Sequence, residues 1–194
     1  MINKIPSSGK ILNIGSKNCS YSPNVINLDI AKLPNVDIVA DAHFLPFRES
    51  SFDGVIITAV LEIVKDPQAV IREIERILKP GGIVLATLPF LQPYHPDPTD
   101  YHRFTIEGVK LLFNNFEVKK LCNNRGPFSM FLWILREFLS IVFSFNCDTL
   151  SKIINIMLGW LFYPFHFLDH LWPGSRRLHI ISASFLIIGS KKYR

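Results

Sequence analysis

The sequence predicts an α/β fold built on an open, mostly parallel sheet. Three observations predict it. Short apolar runs recur between residues 10 and 122, each ending at a Gly, an acid or a turn. A clear amphipathic helix lies between two of these runs. A further run at 180–189 is rich in β-branched and aromatic residues, as strands are.

Residues 10–15 read as a buried strand ending at Gly15, and residues 25–29 as a second strand ending at Asp29. Only residues 16–24 separate them, and a parallel crossover with a helix needs about a dozen or more. The first crossover is therefore predicted to be a turn, in keeping with Ser16, Asn18, Ser20, Ser22, Pro23 and Asn24. Residues 36–40 and 53–58 are the third and fourth strands. Residues 66–78 form a helix, with Val70, Ile71, Ile74, Ile77 and Leu78 on one face and Arg72, Glu73, Glu75 and Arg76 outward. Lys79-Pro80-Gly81-Gly82 stops it, and 83–88 is the fifth strand. A polar, proline-rich loop runs from Pro89 to about Arg103. Thr105 caps a helix over 106–113, and 116–122 is the sixth strand. The run at 180–189 is the seventh. Residues 123–179 form a hydrophobic helical insertion between the last two strands. With no repeats and no low-complexity linker, 1–194 reads as a single domain.

The chain has 194 residues, a net charge of +5 and 48% hydrophobic residues. The apolar excess is concentrated in 128–172. Lys and Arg are scattered through 1–125 with no basic blocks interleaved with aromatics, which argues against nucleic acid as a partner. Cys19, Cys122 and Cys147 are odd in number and far apart, so neither a zinc site nor a disulfide framework is expected. Met1 to Lys10 carries no apolar run after its charges, so no secretory signal is expected, and a reducing cytoplasm is the simplest location.

Six stretches carry the functional information: Ile11-Leu12-Asn13-Ile14-Gly15-Ser16, Ile26-Asn27-Leu28-Asp29, Asp41-Ala42-His43-Phe44-Leu45-Pro46-Phe47, Ser51-Phe52-Asp53-Gly54-Val55-Ile56, Leu78-Lys79-Pro80-Gly81-Gly82 and Pro89-Phe90. Taken in order, the set resembles the class I S-adenosylmethionine-dependent methyltransferases, especially the small type 11 group. The resemblance implies a Rossmann-like, mostly parallel seven-stranded sheet with an antiparallel last strand, and S-adenosyl-L-methionine as cofactor. It places Gly15 where the backbone approaches the cofactor, Asp29 on the ribose hydroxyls, and Asp41 with Ala42 at the adenine. His43, Phe44 and Leu45 would wall the ring, and Thr58, Ala59 and Val60 would back the methionine part.

The family's usual loop is acid-x-Gly-x-Gly-x-Gly. Here Asn13 replaces the acid, keeping hydrogen-bonding capacity without charge, and Gly15 alone of the three glycines remains. Ile63 stands where relatives often carry His. These departures keep a non-catalytic scaffold or binding protein as the alternative. A Rossmann-like dehydrogenase is opposed by the absence of Gly-x-Gly-x-x-Gly.

After the fifth strand, Tyr94 to Thr105 resembles His-x-x-Pro-x-Asp-Tyr-x-Arg-Phe-Thr, a motif of the same group. Methyl transfer to a hydroxyl needs positioning and a base near neutral pH. The candidates are His95 first and His102 second, with Asp100 as orienting partner. The other reading of this loop is a structural lid, with Arg103 paired to Asp100 and Tyr101 packed inward. No metal-binding spacing is present. The acceptor is expected to be a small molecule, a sugar or a lipid-linked glycan, methylated at oxygen.

In the insertion, Phe128 to Phe145 is mostly apolar, with Arg136, Glu137, Ser140 and Ser144 on one helical side. Ile153 to Leu168 is apolar nearly all round and broken by Pro164. Trp133, Trp160, Trp172, Tyr163 and His166 add amphipathic rings, and Arg125, Arg176 and Arg177 flank the block. Neither run reaches the ~20 residues of a spanning helix. The pattern predicts a helical pair lying in an anionic membrane surface, peripheral on the cytoplasmic face. A homodimer interface or simple core packing is one alternative, and a true membrane span is another.

Overall fold

A computed structural model of the chain describes residues 9–17, 19, 24–124, 126–171 and 177–193. Its seven-stranded sheet has the order β3-β2-β1-β4-β5-β7-β6. β1 (Ile11–Ile14) pairs in parallel with β2 (Val25–Asp29) on one side and β4 (Phe52–Thr58) on the other. β2 pairs with β3 (Ile38–Val39), and β4 with β5 (Leu78–Pro89), again in parallel. β6 (Phe116–Asn123) and β7 (Ser184–Lys191) complete the sheet. The last strand runs antiparallel, since Phe90 N–H donates to Ala183 O at 2.8 Å and Leu91 N–H to Ser182 O at 3.3 Å.

The inner strands read as near-continuous apolar runs because a parallel sheet is covered on both faces. Leu12, Val55, Ile57 and Val84 are buried, as are Ile11, Val25, Ile56 and Leu85. The expected turn between β1 and β2 rests on Asn18, Ser20, Ser22 and Pro23, which lie outside the described residues.

α1 (Pro67–Ile77) begins where Asp66 accepts a hydrogen bond from Ala69 N–H at 2.9 Å, with Pro67 in the first turn. Both features suit a helix start. Val70, Ile71, Ile74 and Ile77 are buried, as their spacing predicts. α2 (Ile106–Leu112) is capped by Thr105, whose hydroxyl accepts from Gly108 N–H at 3.1 Å.

Three boundaries differ from the sequence reading. The third strand is only Ile38–Val39, flanked by Asp37, which joins β2 through its N–H to Asn27 O at 2.9 Å and through its carboxylate, which accepts from Asn27 N–H at 2.8 Å. The fifth strand starts at Leu78 rather than residue 83. Lys79-Pro80-Gly81-Gly82 does end the helix but is absorbed into the strand, with Gly81 at φ 75° and a register shift opposite Phe52/Gly54. The seventh strand starts at Ser184, because Leu178–Ile181 forms a 3-10 turn.

The chain divides into two compact units. The first comprises 1–88, 96–122 and 186–194, and holds most of the sheet with α1 and α2. The second comprises 89–95 and 123–185. It contains α3 (Pro127–Phe143), α4 (Asp148–Phe162) and a 3-10 segment, Tyr163–Leu171. Asp169 takes the place of a cap for α3, accepting from Phe128 N–H at 2.8 Å and pairing with the Ser129 hydroxyl. Many large apolar side chains of this unit face outward, including Phe131, Phe138, Ile141, Ile156, Met157 and Trp160. Among the described residues, no helix is long and apolar enough to cross a membrane. Arg125, Trp172 and Arg176 lie outside the described residues.

Candidate functional site

In the first unit, the carboxyl ends of β1 and β2 open onto a cavity of about 720 Å³, a size ordinary for a small-molecule site. The chain runs outward from β1 through β2 and β3, then crosses to β4 on the other side of β1. That reversal is the switch point at which open α/β sheets bind ligands.

Gly15 leaves β1 at φ 70°, and a Cβ on it would lie 2.1 Å from Val60 Cγ2. Only glycine meets both demands. Its N–H donates to Leu28 O at 2.8 Å, and the Lys17 N–H donates to Asp29 Oδ2 at 2.9 Å. Asp29 Oδ1 accepts from Ala31 N–H at 3.0 Å. The backbone therefore holds this carboxylate at the cavity wall, and each oxygen retains a second lone pair for a ligand.

Asp41 Oδ1 accepts from the His43 N–H at 2.9 Å and from its Nδ1 at 2.6 Å. The His43 backbone N–H, and after it the imidazole, hold Asp41 below the usual carboxylate range against the opposing effect of burial. Ala42 and His43 line the cavity. Phe44 and Leu45 do not wall it as the sequence suggested: Phe44 is 79% exposed and Leu45 is buried.

Asn13 and Thr58 are likewise not on the wall. Asn13 lies opposite Asn27 in the β1–β2 register, and its Nδ2 donates to Asn27 Oδ1 at 3.0 Å inside the core. Thr58 lies opposite Thr87 in the ladder, while Ala59 and Val60 reach the cavity.

Sequence reasoning missed two features. Lys17 and Asp97 both line the cavity, with Lys17 Nζ 2.5 Å from Asp97 Oδ2. Lys17 lies in the loop where the glycines are missing, which was the available signal. The second is Arg76 on α1. It donates to Phe47 O at 2.7 Å and Leu45 O at 2.9 Å while paired with Glu73 at 2.7 Å. Glu73 in turn accepts from Leu45 N–H at 2.9 Å. This pair clamps the segment that follows Asp41, and nothing in the local sequence marks it.

Residues 16–86 match the family model described as a methyltransferase domain. Over that segment the chain is similar to methyltransferase domains. It is 34% identical over 96 residues to the demethylmenaquinone methyltransferase of Renibacterium salmoninarum, covering 48% of this chain and 40% of that protein. Over 62 residues it is 36% identical to the mitochondrial arginine-hydroxylase NDUFAF5 of Homo sapiens, covering 32% of this chain and 18% of that protein. These matches span less than half the length of the curated relatives. A SAM-dependent methyltransferase structure from Methanosarcina mazei shares the fold, with TM-score 0.59 at 17% identity over 99% of this chain and 96% of that one.

The cavity fits the cofactor of this methyltransferase family. Its wall offers carboxylates for a diol and an amine, an ammonium for a carboxylate, and apolar surface at Ile14, Val60 and Val64. Val60 fills the space beside Gly15, and the Gly15 N–H is held by Leu28 O, so this glycine lets the chain turn at the cavity edge.

Part of the loop after β5 belongs to the same unit. Tyr101 N–H donates to Glu62 O at 2.7 Å, and Thr99 Oγ1 to Ile63 O at 2.8 Å, tying the loop to the segment after β4. Tyr101 lines the cavity and is half exposed, so it is not packed inward. The Asp100 side chain is 1% exposed and faces the Arg103 guanidinium, whose second nitrogen lies 2.5 Å away. Asp100 therefore shapes the loop, where the sequence had suggested an orienting partner for a histidine. His102 Nε2 lies 3.4 Å from Lys65 O. His95 belongs to the second unit, where its Nδ1 is 2.9 Å from Pro93 O and its ring is 6.0 Å from that of Trp133.

Proposed function

We propose that the chain transfers a methyl group from S-adenosylmethionine to a small-molecule acceptor. The observation that carries this reading is the cavity at the ends of β1 and β2, where Gly15, Asp29 and Asp41 stand together. Asp29 takes the ribose hydroxyls, Asp41 and Ala42 meet the adenine edge, and Lys17 with Asp97 serves the amino-acid end. When bound, the cofactor supplies an electrophilic sulfonium methyl.

The chain's task is then to orient the acceptor and manage its proton. His95, whose Nδ1 lies 2.9 Å from Pro93 O, is the first candidate base for a hydroxyl acceptor. That supports oxygen as the methylated atom, with His102 the second candidate base. Asp100 and Arg103 hold the loop at the acceptor side.

The second unit meets an anionic membrane surface, peripheral on the cytoplasmic face. The outward apolar residues of α3 and α4 support this part of the reading, and it suits a lipid-linked acceptor such as a glycan carrier. A second reading is a non-catalytic relative. It is favoured by Asn13, which brings no charge and is turned toward Asn27 inside the core.

Calorimetric titration with S-adenosylmethionine, with NAD as control, tests the leading reading. Saturable binding of the former alone is expected. Absence of any binding would leave the scaffold reading.

A further inference from the structure

We propose that the second unit carries a binding site for the phosphate of a membrane phospholipid, centred on the Arg136 guanidinium between α3 and α4. The proposal rests on the reading that this unit meets a membrane surface, and names what that surface must present.

Arg136 lies within the apolar run of α3. Its Nε is buried with no hydrogen-bond partner among the described residues. Its Nη2 reaches Glu137 Oε1 only at 3.5 Å, the outer limit of a hydrogen bond. The side chain as a whole is 31% exposed, so Nε is sealed off while the two terminal nitrogens stay within reach of a ligand.

The space for a partner is present. Two cavities of about 240 and 640 Å³ share Arg136, Gly159 and His166. Gly159 on α4 keeps that space open, since a Cβ there would already lie 3.3 Å from Arg136 Nη1. Asp169, an acid of the same unit, is engaged by Ser129 and the Phe128 N–H. His166 is engaged through Nδ1 with the Ser129 hydroxyl at 2.7 Å. The planar fork of a guanidinium matches the oxygens of a phosphate.

The surroundings select a lipid over a free anion. The larger cavity is walled by Ile156, Trp160 and Tyr163, exposed by 62%, 78% and 71% respectively. A phosphodiester on Arg136 would put its glycerol and chains against that apolar wall, where inorganic phosphate has nothing to contribute. Trp and Tyr beside a cation are the side chains that settle at headgroup level. A net charge of +5 adds attraction to an anionic surface.

The test is flotation of the full chain with phosphatidylcholine vesicles, with and without phosphatidylglycerol. Arg136→Gln should weaken partition into the anionic vesicles by about tenfold, the scale of one hydrogen bond to a charged group. Lys152→Gln, which removes one positive charge from α4, should cost clearly less. Gly159→Leu, which fills the cavity without changing charge, should act like Arg136→Gln. Binding to phosphatidylcholine alone, whose headgroup carries the same phosphodiester, should also weaken in Arg136→Gln and Gly159→Leu and survive in Lys152→Gln. Equal losses in Arg136→Gln and Lys152→Gln would reduce the effect to bulk charge and overturn the site. Competition by millimolar inorganic phosphate at constant ionic strength would overturn the lipid as its source. A wild-type chain that ignores every vesicle and forms a dimer would sink the membrane reading itself, and with it this site. Cofactor titration is a separate readout, so its failure leaves the vesicle result standing.

Discussion

The ammonium of Lys17 lies 2.5 Å from the carboxylate of Asp97, and both side chains line the cavity below Gly15. Both are well exposed, at 61% and 72%. Such a pair contributes about 0–1 kcal/mol to stability. Its importance lies in what it presents to a ligand: one positive and one negative group, complementary to an α-amino acid. Asp97→Asn is expected to leave the urea midpoint nearly unchanged while weakening S-adenosylmethionine about fivefold, with the difference shrinking at high salt. Calorimetry at two ionic strengths checks this. Unchanged affinity at low salt would assign the amino-acid end of the cofactor elsewhere.

Gly15→Ala combines two costs. The left-handed backbone penalises a Cβ by about 1–2 kcal/mol, and the clash with Val60 adds about 1–3 kcal/mol of overpacking. Pairing it with Val60→Ala should recover only the second part. Urea unfolding of the two single variants and the double variant measures the split. Complete recovery in the double variant would mean that the φ of 70° carries no penalty of its own.

The Glu73–Arg76 clamp predicts a pH-dependent stability. The Arg76 hydrogen bond, the largest influence, holds the Glu73 carboxyl below its ordinary value in the folded chain. Its contribution is therefore fully present above the unfolded-state value and is lost as pH falls through the lowered folded value. Glu73→Gln should destabilise the chain by about 1–2 kcal/mol near neutral pH, and this gap from wild type should close in acid. Denaturant curves at descending pH follow the closure. A gap that stayed constant would assign the effect to packing instead of charge.

His95 and Asp100 should separate by readout. His95→Ala is expected to lower methyl transfer by about 10²–10⁴ with cofactor affinity intact. Arg103→Ala, which strands the buried Asp100 carboxylate, should instead cost about 3–5 kcal/mol of stability. Turnover and thermal unfolding, measured on both variants, distinguish the roles. Full turnover in His95→Ala would remove it as the base.

Much of the sheet was legible because its signals are local. The β1 and β2 runs, the apolar stripe of α1 and the Thr105 cap each lie within a few residues of one another in sequence. What escaped depends on partners far along the chain. Whether Asn13 faces the cavity is decided by Asn27 in the next strand. Arg76 gives no sign that it grips residues 45 and 47, because backbone carbonyls carry no sequence signature.

The place of β7 between β5 and β6 has a consequence for the order in which the molecule is made. During synthesis β5 and β6 emerge first, and each presents an unpaired edge until the strand that joins them arrives. All of residues 124–183 must leave the ribosome before that seam can close. The entropy of closing so long a loop grows only by about 0.6 kcal/mol per doubling, so the delay is one of time more than of equilibrium. In that interval the nascent chain displays two open strand edges together with the apolar helices of the insertion, and chaperone capture at this stage would govern its yield.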